Sequence, residues 1–488
     1  MPNWKASSRL QKNANLMIIG KQGSGARARW ILVATLCTVE FVNVLGTTIL
    51  IVALPTMQRQ LNASDSVRDQ IAGVYALFFG GFLIVAGRLV DLYGARRLFF
   101  IGMAVIGLAL VLCSAALTGF MLMAGRALQG FGAAIAVPAA LSMVMGTFPE
   151  EHNRTRALAW WTAAGAAGGA IGLAAGGVVT DVLNWRWIFL FNLPVVLLAL
   201  AIVHMLVPSE AKRHAHTEVD VRSAALLTGG LLMLIFGLTS VAAAGFDLLR
   251  VVLPVGLSVT VLALAIAIER RSSQPLVPGR LLRIRAFIGS CGVAFILTTT
   301  TSAAGVLLTL YLQNVLDRGA AATGMLLAPF SVAVVLGAGA GSRSAARLGY
   351  KATMILGLFG IGVAMSAYAL WLPDRELGCI VVAWFISGVG LGLASVASTT
   401  FGLANAPTGE DGIASGLLNS AAQLGTAIGI AVLTTVASLV AGRGGVAHPA
   451  DRDLIAGFQY AFGIAGILAL VTIPLAWWSG RAQPTSGA

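Results

Sequence analysis

The chain has 488 residues, of which 58% are apolar and only 10% charged, with a mean hydropathy of +0.87. A water-soluble domain cannot hide so much apolar surface, so the composition excludes a soluble fold and points to a chain folded in a bilayer. The net charge of +13 would suit a nucleic-acid partner only if it were clustered on one soluble face, and its distribution argues against that partner.

Residues 1–30 are polar and basic, carry no apolar period and read as a disordered tail. Apolar runs of about 20 residues, enough to cross ~30 Å of hydrocarbon, then recur. In the first half they are Ile31–Leu54, Ile71–Leu89, Leu98–Leu117, Phe120–Leu141, Ala157–Val179 and Ile188–Val207. A central pair follows, Ala224–Ala244 and Leu248–Ile268, poor in polar residues and expected to face lipid. The last six are Phe287–Leu312, Gly324–Ala340, Thr353–Leu372, Gly378–Leu403, Ile413–Val440 and Leu454–Trp478, which makes fourteen. The expected fold is an all-α integral membrane protein. Its six-helix bundles over 31–207 and 286–480 are joined by a two-helix linker over 208–285, and 481–488 form a second tail. The first run is too long for a signal-peptide core and is expected to stay as a helix.

With both termini inside, the inner segments carry 23 of the 32 Lys and Arg residues, the outer loops carry eight, and Arg126 lies within a helix. That asymmetry is the positive-inside signature and fixes the expected orientation in a bacterial inner membrane, termini cytoplasmic. The excess of Arg (27) over Lys (5) fits a GC-rich bacterial source. Cys37, Cys113, Cys291 and Cys379 sit singly in predicted helices, without metal-ligand spacing, and read as structural thiols. No nucleophile–base or metal constellation and no G-x-x-x-x-G-K-[ST] phosphate loop occurs, so neither an enzyme nor a nucleotide-driven pump is expected.

The segment Gly87–Arg97, GRLVDLYGARR, joins two apolar helices as a basic hairpin. Gly87 and Gly94 permit close backbone approach and a sharp turn, while Asp91, Arg96 and Arg97 supply charge at the membrane face. The pattern resembles the loop between the second and third helices of the major facilitator superfamily. Further resemblances follow in order. Arg126, Gln129, Gly130 and Gly132 resemble the fourth-helix R-x-x-Q-G-x-G, while Trp185–Pro194 (WRWIFLFNLP) and Gly412–Gly425 (GIASGLLNSAAQLG) resemble the sixth and thirteenth helices of its fourteen-helix drug:proton antiporters. Gly341–Lys351 falls where a second copy of the hairpin belongs, with Ala346 replacing the aspartate. The chain departs from this pattern twice. Leu173 replaces the proline of G-P-x-x-G-G among Gly172, Gly176 and Gly177, and Gly46 stands where relatives carry a first-helix acid, with Ile51 at an asparagine position.

The resemblance implies efflux of amphipathic organic compounds (antibiotics, dyes or biocides) in exchange for protons, with no cofactor, by rocking of two bundles about a midplane site. A dedicated exporter of one natural product, an importer or facilitator, and a sensor without transport stay open as alternatives. Of the Asp and Glu residues only Glu40 falls near the middle of a span, where an ionisable group is costly and marks a functional site. Glu40 is therefore the expected proton carrier, with Arg126 as its pairing cation. Asn43 and Thr47 share its helix face. With Tyr75, Phe79, Gln129 and the thirteenth-helix stripe Asn419, Gln423 and Thr426, they form the expected substrate path. Gly130, Gly172, Gly176 and Gly177 are expected to pack or bend helices. Glu410 and Asp411, at the entry to the thirteenth helix, are expected to meet Arg96 or Arg97 in a cytoplasmic latch, with Asp91 near the positive end of that helix.

Overall fold

A computed structural model describes residues 25–148, 150–208, 220–244, 248–272, 275–374, 376–442 and 451–479. Of the tail expected over 1–30, residues 1–24 lie outside these residues, as do 481–488 and most of the polar loop after Pro208, whereas the first helix already begins at Ala26. All regular structure among the described residues is helical. In hydrocarbon every backbone N–H and C=O must be satisfied within the segment, and a helix does so.

In chain order the helices are α1 (Ala26–Gln60), α2 (Asp65–Tyr93), α3 (Ala95–Ser114), α4 (Gly119–Thr147), α5 (Glu151–Val182) and α6 (Arg186–Leu206, stepped at Phe191). Then come α7 (Val221–Ala244), α8 (Leu248–Glu269, opening with a π-helical turn) and α9 (Arg285–Asn314). The rest are α10 (Ala322–Leu348, broken before Pro329), α11 (Tyr350–Trp371), α12 (Leu377–Ala404), α13 (Asp411–Ala441) and α14 (Arg452–Trp478, broken before Ile473). Among the described residues, twelve of these are long and apolar enough to cross a membrane. The other two, α5 and α7, each include residues whose side chains are outside the described set; within its described part α7 shows an apolar stretch over Arg222–Leu238.

Local chemistry sets the ends. The Ser64 and Thr118 hydroxyls accept from the Val67 and Met121 amides and cap α2 and α4. Gly94 (φ 91°) and Gly349 (φ 85°) turn the chain into α3 and α11 through a backbone conformation that a side chain would strain. The two turns therefore match in geometry even though the second hairpin has lost its aspartate. Buried hydroxyls bond to their own helices, as Thr299, Thr300 and Thr301 do to carbonyls one turn earlier.

Two separate apolar cores form. One is built mainly by α1–α6, around Leu36, Phe99, Val137 and Trp185; the other by α9, α11, α12, α13 and α14, around Tyr311, Leu358, Tyr368 and Phe462. Between them run two seams, α2 on α13 and α5 on α10. Of the central pair expected to face lipid, α8 is largely exposed, whereas α7 packs on α2 and α13. Leu232 and Ile235 of α7 lie against Gly81 and Gly80 of α2, so α7 covers the α2–α13 seam. Glycine on α2 leaves room for its branched side chains. The cysteines are free; Cys37 and Cys113 are buried, and Cys291 and Cys379 are partly so.

Candidate functional site

A polar cluster sits inside the first core, assembled by α1, α2 and α4. On α1, Asn43 Nδ2 donates to Glu40 Oε2 at 3.3 Å. The Tyr75 hydroxyl of α2 donates to Asn43 Oδ1. On α4, Arg126 places its guanidinium 4.4 Å from the centre of the Tyr75 ring, a cation–π contact, and its Nη1 donates to Gln129 Oε1 at 2.7 Å. Arg126 and Gln129 are both buried. A cavity of about 10 Å³, lined by Asn43, Tyr75 and Gln129 together with Val39, Val42, Ile106 and Ala133, adjoins the cluster. That is room for about one water.

Glu40 and Arg126, expected to meet, are not ion-paired here. The Asn43–Tyr75 link stands between them, and the Glu40 carboxylate is turned toward α5, where a β-carbon on Gly165 would lie 3.4 Å from Oε1. The two groups thus belong to one connected network without direct contact. Glycine at 165, and again at Gly168, lets α1 and α5 come close; a β-carbon at Gly168 would lie 2.5 Å from the Phe41 carbonyl oxygen. Gly172 plays the same part against Thr48. Gly176 and Gly177 fall in a stretch of α5 whose side-chain surroundings are outside the described set. Gly130 packs α4 on the Tyr75 carbonyl of α2.

The other expected path residues divide. Thr47 donates to Val44 O of its own helix. Phe79 is buried and stacks on Tyr75, while Phe82 meets Phe131 edge-on, so these aromatics pack one another. On α13, Asn419 bonds its own helix through Ser415 O, Gln423 faces α2 at Gly80, and Thr426 meets Ser302 of α9 at 3.2 Å. The stripe therefore spans two contacts instead of lining one wall.

At the face carrying the α2–α3 hairpin the seams are closed. Asp91 accepts from the Gly412 and Ile413 amides at 2.7 and 2.9 Å, capping α13 across the seam with a charged group at its positive end. Gly87 and Gly412 pass so closely that a β-carbon on Gly87 would lie 2.5 Å from Gly412 O. Across the opposite seam the Tyr350 hydroxyl of α11 bonds Thr155 of α5 at 2.8 Å.

The expected pairing of Arg96 or Arg97 with the acids is corrected in one respect. Glu410 is buried and ion-paired with Arg280, whose Nε donates to Oε1 at 2.7 Å. Arg96 lies over Phe100 at 5.2 Å and reaches His204, and Arg97 is exposed. The segment 270–285 is rich in arginine, but nothing in the sequence singles out Arg280. Tyr350 and Thr155 carried no sequence signal at all.

The chain matches the sequence pattern of the Major Facilitator Superfamily over residues 36–430 and again over 291–488. It is 33% identical over 468 residues to the puromycin resistance protein of Streptomyces alboniger, covering 93% of this chain and 92% of that one. It is 31% identical over 447 residues to a cephamycin export protein of Amycolatopsis lactamdurans, with 90% of each covered. Among solved structures it superimposes on a human organic anion transporter with a TM-score of 0.66 at 16% identity, covering 92% of this chain and 99% of that one. For an E. coli fucose:proton symporter the TM-score is 0.63 at 14% identity, covering 93% and 100%. These two likenesses bear on fold alone.

Proposed function

The chain belongs to the Major Facilitator Superfamily, and from that premise we propose that it exports amphipathic organic compounds of antibiotic type across a bacterial cytoplasmic membrane in exchange for protons. The observation that carries the reading is similarity along almost the whole chain to an antibiotic resistance protein and an antibiotic export protein. In this reading α5 and α7 also cross the bilayer. The architecture is then fourteen spans, six plus two plus six, with both termini and the α2–α3 hairpin cytoplasmic. The twelve apolar helices, the two cores and the basic inner segments support that arrangement. The seams joined by Asp91 and by Tyr350–Thr155 close the cytoplasmic side, and parting them opens it.

Glu40 is the proton carrier and Arg126 its partner at a different stage of the cycle. The link through Asn43 and Tyr75 supports coupling of the two. The remaining cluster and the α13 side chains Gln423 and Thr426 line the path. A susceptibility panel in an efflux-deficient bacterium tests this. The wild type should protect against several unrelated lipophilic antibiotics, and Glu40→Gln should not. Protection against one compound alone would instead identify a dedicated exporter, a reading favoured by relatives named for single antibiotics. Equal protection by both proteins would return Glu40 to a structural role.

A further inference from the structure

Arg126 is fully buried, and its surroundings leave most of its charge unanswered. Nη1 donates to the neutral Gln129 amide, whereas Nε and Nη2 have no hydrogen-bond partner. The groups facing it are the Tyr75 ring, the Cys113 thiol and Gln129. Glu40 is held on Asn43 and turned toward Gly165. A guanidinium keeps its proton, so a desolvated one is costly until an anion reaches it. Nε and Nη2 are the two parallel donors that a carboxylate meets bidentately. Beside the same guanidinium α1 presents Gly46, where a β-carbon would stand 3.9 Å from Arg126 Nη1 and 3.1 Å from Gln129 Nε2. The helix thus comes within side-chain reach of the cation and brings none.

We propose that the carboxylate of the transported compound completes this site, so that the cargo is an organic anion held by Arg126. The inference rests on the export reading. Because the adjoining cavity is only about 10 Å³, cargo must load when the bundles have parted.

The test uses purified full-length protein and a matched dye pair, fluorescein and its methyl ester, with binding read by fluorescence anisotropy. The acid should bind about tenfold or more tighter than the ester, as expected for loss of a charge-assisted pair. Arg126→Gln should abolish the difference and Glu40→Gln should keep it. Gly46→Asp, which supplies an internal carboxylate, should also abolish it and should raise the melting temperature relative to Gly46→Asn. Equal affinities for acid and ester, absence of fluorescein binding, or a preference that survives Arg126→Gln would each overturn the proposal. Efflux of the same dyes from loaded cells separates the two readings. Export without acid preference leaves the exporter and removes the anion site. Acid-selective binding without export of either dye does the reverse.

Discussion

Replacing Asp91 by Asn should release the seam between α2 and α13. Asp91 accepts two short bonds, from the Gly412 and Ile413 amides, with both oxygens. The asparagine keeps one acceptor oxygen and turns an amide donor toward the second N–H, so one charge-assisted bond is lost and the other becomes neutral. Hydrogen bonds to charged groups contribute about 1.5–3 kcal/mol each, against about 1 for neutral ones. The capping charge at the helix end adds roughly 0.3–1 kcal/mol. The closed state should therefore weaken by about 2–6 kcal/mol, which moves its equilibrium with the open state by roughly 30- to 20,000-fold. Spin labels at the exposed positions Arg97 and Thr408, on either side of the seam, would read the distance change by electron–electron resonance. The distribution should shift to longer separations in Asp91→Asn. A distribution identical to that of the wild type would refute the latch and leave the hairpin a topological anchor.

Gly87→Ala should open the same seam by sterics alone, since its β-carbon would meet the Gly412 carbonyl at 2.5 Å, and the same labels would show it. In proteoliposomes with an imposed pH gradient, Glu40→Gln should lose uphill transport while retaining expression and substrate binding. Gly168→Ala should lower the melting temperature, because overpacking against the Phe41 carbonyl costs about 1–3 kcal/mol, and unchanged stability would show that α1 and α5 can separate freely. Trp185→Ala should cost about 3–5 kcal/mol of stability, measured by thermal unfolding in detergent. The indole is fully buried and its N–H donates to Gln60 at 2.8 Å.

Much of this protein was legible one residue at a time. Runs of apolar residues of bilayer length must become helices, because hydrocarbon offers no other partner for the backbone, and so the spans could be read without knowing their neighbours. The same locality made Gly94 readable as a turn and Asp91 as a charge aimed at a helix end. It also made Glu40 and Arg126 stand out as the exceptions in apolar helices. Contacts between distant segments were a different matter. Whether Glu40 meets Arg126 depends on the rotation of α1 against α2 and α4, and that rotation is set by the glycines at 130, 165 and 168. The packing interposes Tyr75 and Asn43 between the two charges. The partner of Glu410 was decided by where the chain before α9 folds back, which brings Arg280 to it across 130 residues. The seam-covering role of α7 arises likewise from its place beside two glycines of α2, since an apolar helix facing lipid and one facing another helix share a composition. Sequence alone determined which segments form long apolar helices and which charges are exceptional within them. Only the tertiary packing decided which of those charges touch, because side-chain contact in a bundle is fixed by the orientation of whole helices.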